Sequence, residues 1–171
     1  MIKLRKETPA DYPDIRMVND VAFGRKAESK LVDTLRNTTG FIPDLSAVAE
    51  VDGKVIGHIL FYPVTITKDE QKHASLQLAP MSVLPAFRKK SIGKLLVIYG
   101  LQAAKDLGHS SVIVLGHPSY YPKFGFERAS KWNITSPFPA PDEAFLAIEL
   151  KRGSLEKVSG IVVFPEAFDG L

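Results

Sequence analysis

Apolar positions change period several times along the chain, and each change marks an element. Ile2-Lys3-Leu4-Arg5 alternates, the pattern of a short strand. Thr8-Pro9-Ala10-Asp11 offers a cap and a proline for a first helical turn, and Pro13 puts the start of regular helix near Asp11. Ile15, Val18 and Ala22 then recur at helical spacing. A second helix is expected from Ala27 to Arg36, with Leu31 and Leu35 one turn apart, until Thr38-Thr39-Gly40 breaks it. Leu45 to Glu50 and Lys54 to Thr67 flank Val51-Asp52-Gly53, and Asp-Gly between apolar runs predicts a hairpin. Ala74 to Val83 is the next strand. Pro80 cannot donate to a ladder, so an edge or a bulge is expected there.

Helical spacing returns at Ile92, Leu95, Leu96, Tyr99 and Ala103, and Leu107-Gly108 closes the helix. Ser111 to Leu115 is a continuous apolar run, as in a strand buried on both faces. Strand, helix, strand in this order is a βαβ crossover and implies a parallel pair. After Tyr120 to Phe126 a proline-rich loop leads to two final strands, Ala144 to Leu150 and Ser159 to Phe164. No internal repeat or linker interrupts the pattern. The class is α/β with a mixed sheet, and a chain of 171 residues is expected to form a single domain, 1–171.

Composition narrows the function classes. The chain is 45% hydrophobic and 24% charged, which is ordinary for a globular protein. The net charge of +3 and pI near 9.0 lean towards anionic ligands. The Lys and Arg are dispersed, however, and fall short of a nucleic-acid signature. Cysteine is absent, which excludes disulfides and thiolate zinc sites, and four dispersed His argue against any metal. No apolar run reaches the roughly 20 residues of a membrane span. The charged alternation at the N-terminus is unlike a signal peptide, so a cytoplasmic location is expected.

One stretch resists this ordinary reading. Phe87-Arg88-Lys89-Lys90-Ser91-Ile92-Gly93-Lys94 gathers four cations at the start of a helix, where the dipole already carries partial positive charge. Unpaired helical N–H groups can point at an anion, and small residues at 91 and 93 let phosphate oxygens approach. A basic solvated turn before a core helix is the plainer alternative, since each unfavourable contact costs only ~0.3–1 kcal/mol. Other phosphate motifs fit worse. No GxxxxGK[ST] P-loop and no GxGxxG dinucleotide fingerprint occurs.

Arg88 to Gly93 resembles the [Q/R]-x-x-G-x-[G/A] signature of the GNAT N-acetyltransferase superfamily, and Val83-Leu84-Pro85 precedes it as in that family. His117-Pro118-Ser119-Tyr120-Tyr121-Pro122-Lys123-Phe124-Gly125-Phe126 is similar to a segment of its YhbS-type members. The resemblance covers nearly the whole chain. It implies a mixed, mostly antiparallel, twisted sheet with a central βαβ crossover and helices on both faces. It also implies acetyl-CoA as cosubstrate and an amine as acceptor. The pyrophosphate would lie on the N–H groups of Arg88, Lys89, Lys90, Ser91, Ile92, Gly93 and Lys94. Pantetheine would run beside Met81, Ser82 and Val83, and Tyr121 would serve as the general acid.

Ser91 stands where the family usually has Gly. A helical conformation is expected for it, because Ser is a good cap and a positive φ would strain it. The strand that often carries the family's general base has no carboxylate here; Gln77 is near the expected place. Glu50, His58 and His117 are the substitutes the sequence offers. A catalytically silent acyl-CoA-binding domain is therefore the alternative function. The segment from Phe164 to Phe168 can line the acceptor pocket, cap the sheet or join two copies as a homodimer.

Overall fold

The computed structural model describes residues 1–169. They form two compact units, through both of which two long strands run. The first unit holds Met1–Tyr62, Ala79–Ala103 and the stretch from Ala167 onward; the second holds Pro63–Leu78 and Ala104–Glu166.

In the first unit, β1 (Ile2–Lys6) pairs antiparallel with β2 (Ser46–Val51), which pairs antiparallel with β3 (Lys54–Lys68). Asp52 and Gly53 turn the β2–β3 hairpin with φ of 50° and 78°, the sign pair that a tight hairpin turn requires. Then β4 (Gln71–Val83) lies next to β3. Helices α1 (Tyr12–Phe23), α2 (Ala27–Arg36) and α3 (Ile92–Asp106) complete the helical complement. Alternation along β3 sorts the helices between faces. Asn19 of α1 bonds His58, whereas the Phe61 ring lies against Gly100 of α3. Positions 58 and 61 point to opposite sides of a strand, so α1 and α3 cover opposite faces of this sheet.

In the second unit, β4 pairs in parallel with β5 (Ser111–Leu115) at Leu76↔Val112 and Gln77↔Ile113, the crossover expected around α3. Then β5 pairs antiparallel with β8 (Phe145–Glu149), and β6 (Glu127–Arg128) lies on the far side of β8. The distal half of β3 pairs antiparallel with β9 (Gly160–Val163), which takes β7 (Ile134–Thr135) in parallel. Val64, Ile66, Ile113, Phe145, Leu155 and Val162 form the core of this unit. The sheet is thus mixed and mostly antiparallel.

One expectation needs correction, and another holds only locally. Ala22 is only half-buried, and Asn19 takes the third place in the buried stripe of α1 with Ile15 and Val18. Pro80 stands where β4 has already parted from β5, an edge within the strand. It lies on a strand with neighbours on both sides, past the last paired residue facing β5, and the Ala79–Pro80 peptide is cis.

Candidate active site

The turn between β4 and α3 has a backbone of alternating sign. Arg88 is extended at φ −66°, Lys89 is at +64°, and Ser91 is at +61°. Ser91 is therefore left-handed, contrary to the helical conformation expected from its type. It still begins α3, because its carbonyl accepts the Leu95 N–H at 3.0 Å. Left-handed residues set among right-handed ones turn successive N–H groups towards one concavity, a geometry that suits anions.

Hydrogen bonding decides which of those amides are available. The Arg88 N–H donates to the Pro85 carbonyl at 3.2 Å and is already used. Among the described residues, no backbone carbonyl takes the N–H of Lys89, Lys90 or Ser91. Ile92, Gly93 and Lys94 form the first turn of α3, where amides lack intrahelical acceptors. That first turn contains no acidic residue, so no carboxylate of its own offsets the dipole. Arg88, Lys89, Lys90 and Lys94 are exposed. The Lys90 ammonium lies 5.5 Å from the Phe87 ring centre, and Arg88 Nη2 donates to the Ala22 carbonyl at 2.9 Å. Ile92 is buried beneath the turn and anchors it. Upstream, Met81 and Val83 are half-buried, and Ser82 is buried with its Oγ unpartnered among the described residues. All of these predicted residues share the first unit.

Tyr121 belongs to the second unit, where it opens a short 3-10 turn, Tyr121–Phe124. Its ring packs edge-on against Tyr120 at 5.1 Å and Phe126 at 5.6 Å. A Cβ on Gly116 would come within 2.2 Å of the ring. Only glycine at 116 leaves the ring room, a constraint that no local pattern in the sequence signals. Tyr121 is 8% exposed, and burial, with a smaller contribution from Tyr120, pushes its phenol pKa well up. The phenol is protonated at neutral pH.

The three candidate bases separate cleanly. His58 is fully buried, and burial next to positively charged Arg36 lowers its pKa to about 3. Asn19 donates through Nδ2 to the Ile15 carbonyl at 3.0 Å and to His58 Nδ1 at 3.3 Å. Nε2 of His58 therefore carries the proton and faces Ser46 Oγ at 2.9 Å, and Ser46 in turn donates to Glu7. Arg36 closes the series with two 3.0 Å bonds to Glu7. His58 is a structural member of this chain and is sealed from any substrate. Glu50 is held 3.0 Å from the Arg5 guanidinium. His117 is exposed, and its Nδ1 faces the Ser119 N–H at 3.2 Å and hydroxyl at 2.8 Å. Gln77 is buried, and its Oε1 has no partner among the described residues. Among those residues, no three His, Asp or Glu side chains gather to hold a metal, and no helix is long and apolar enough to cross a membrane.

A mixed sheet with a βαβ crossover, opened by an amide-rich turn before the crossover helix, defines a class. The chain belongs to the acetyltransferase (GNAT) family, whose model matches residues 11–126. It is 31% identical to the N-acetyltransferase YhbS of Escherichia coli over 166 residues, 97% of this chain and 98% of that one. The crystal structure of E. coli YhbS in complex with CoA superposes with a TM-score of 0.89 at 32% identity, covering 98% of this chain and 91% of that one. A GNAT acetyltransferase of Brucella melitensis in complex with acetyl-CoA gives 0.81 at 32% identity and 99% coverage of both.

Proposed function

We propose that the chain transfers the acetyl group of acetyl-CoA to a primary amine by direct attack, and that residues 1–171 act as one catalytic domain in doing so. The observation that carries this is the run of amides from Lys89 to Lys94 that take no backbone carbonyl among the described residues, with four cations around it and no acid in the helical turn that follows. Two relatives at 32% identity hold CoA or acetyl-CoA, which gives those amides a ligand of fitting charge. In this reading the diphosphate lies on the amides of Lys89, Lys90, Ser91, Ile92, Gly93 and Lys94, and the cations screen it. The pantetheine arm runs along Met81, Ser82 and Val83. A main-chain N–H there faces the thioester oxygen and stabilises the negative charge that develops on it.

Tyr121 assists the departing thiolate. Its raised pKa keeps the phenol protonated, but it also makes full proton transfer uphill against an ordinary thiol pKa of ~8.5. The hydroxyl therefore acts mainly as a hydrogen-bond donor to the leaving sulfur, and the attacking amine supplies the proton balance. Calorimetry with acetyl-CoA and thiol release over a panel of amines test the reading. Heat and turnover are expected, and Tyr121→Phe should lower kcat about 10²-fold with little change in Kd. No heat with acetyl-CoA would remove the proposal. Equal losses in kcat and Kd would return Tyr121 to a packing role.

A second reading, a catalytically silent acyl-CoA-binding domain, is favoured by one feature. The strand β4, which holds Gln77, carries no carboxylate, while His58 and Glu50 are committed elsewhere. Its mark would be heat with acetyl-CoA and no thiol release with any amine.

A further inference from the structure

Arg88 belongs to the proposed diphosphate seat, yet its guanidinium is engaged elsewhere in the same unit. Nη2 donates to the carbonyl of Ala22 in the last turn of α1, 66 residues earlier in sequence. A helix end carries partial negative charge on its unpaired carbonyls, and a cation there is favourable. The last turn of α1 has no basic residue of its own. The Gly24 N–H takes the Asp20 carbonyl at 2.9 Å, which leaves Ala22 to be satisfied from outside the helix. Only Gly24, Arg25 and Lys26 then connect α1 to α2, so whatever holds Ala22 also holds this turn.

The arithmetic of donors gives the bond further meaning. A guanidinium has five N–H donors in a planar fork, and Arg88 uses one of them on Ala22. Nε and Nη1 make no hydrogen bond among the described residues. One side chain can therefore hold a helix end and meet an oxyanion at the same time, which a lysine ammonium with its single centre does less well. The Arg88 main chain is itself fixed by its N–H bond to Pro85.

We propose that Arg88 is a positioning residue that links the anion seat to the α1–α2 turn. It grips the turn through Ala22 and a bound diphosphate through its remaining donors. Occupation of the seat then tightens the turn, and by reciprocity an intact turn strengthens binding of the ligand by the same factor. The ligand half of this inference rests on the function proposed above; the grip on the turn does not.

Hydrogen exchange read by mass spectrometry on peptides covering residues 22–29 tests both halves. Wild type, Arg88→Ala and Arg88→Lys are compared with and without coenzyme A. Arg88 is exposed, so the variants are expected to fold, and far-UV circular dichroism checks this. Without ligand, Arg88→Ala should speed exchange in the turn several-fold, and Arg88→Lys should restore most of the protection by returning charge to the helix end. Coenzyme A should slow exchange in wild type and have little effect on the turn in either variant. Unchanged ligand-free exchange in Arg88→Ala overturns the inference. Equal slowing by coenzyme A in all three proteins overturns the linkage. Absence of calorimetric heat with wild type instead removes the seat itself and with it the ligand half, while the ligand-free comparison still decides the contact.

Discussion

Ser91 holds a left-handed backbone without being glycine, and the cost can be weighed. Left-handed φ costs an ordinary residue roughly 1–2 kcal/mol. Glycine relieves that cost but adds unfolded-state freedom worth about 0.4–1 kcal/mol. The balance favours Ser91→Gly by ~0.5–1 kcal/mol, a rise in Tm of a few degrees by calorimetry. Acetyl-CoA affinity should hold or improve in this variant, since the amides gain room. The motif was legible in the sequence, but the conformation of its fourth residue, Ser91, was not. Ser serves often as a helical cap and less often in left-handed turns, and nothing in Arg88-Lys89-Lys90-Ser91 selects the second. The cation at Arg88 was legible only as charge; its partner Ala22 lies too far along the chain for any spacing rule to pair them.

Elements were read with more success where the period was long. The second helix runs from Ala27 to Arg36 and β5 from Ser111 to Leu115, as their apolar patterns require. The two-residue strands β6 and β7 were missed, because two residues cannot show a period. Packing of α3 on β3 sets a test at this scale. A Cβ at Gly100 would stand 2.1 Å from Cε1 of Phe61, whose ring is fully buried. Alanine would gain up to ~1 kcal/mol of helix propensity. Overpacking against an immobile ring costs about 1–3 kcal/mol. Gly100→Ala should therefore lower stability on the order of 1 kcal/mol in chemical denaturation, and a neutral result would mean that α3 shifts easily on the strand.

Acid stability is a property of the whole chain, and one buried group is expected to shape it. His58 has an ordinary pKa of 6.5 that burial lowers to about 3 in the folded state. The unfolded chain therefore binds the additional proton between these values. The stabilising contribution is complete above pH 6.5 and is lost as pH falls towards 3, by about 1.4 kcal/mol per pH unit where the slope is steepest. Asp11 falls in a lower window, since its bonds to Arg5 bring its pKa from 3.8 to about 2. Unfolding of a His58→Gln variant at a series of pH values should flatten the loss from pH 6.5 down to about 3 and leave the share of Asp11, between about 3.8 and 2, in place. An unchanged slope above pH 4 would assign it to other groups. This chain of Glu7, Ser46, His58 and Asn19 was invisible in the sequence, because its members come from distant segments and only folding brings their donors and acceptors together.

Because β3 and β4 each run through both compact units, the segments of the two units alternate along the gene. No single contiguous fragment contains all of the first unit without nearly the entire chain, and a fragment spanning residues 63–166 carries the interior of the first unit along with the second. Excising a minimal cofactor module from this protein is therefore ruled out by connectivity. A cut anywhere between residues 79 and 103 would leave segments of both units on each of the two pieces.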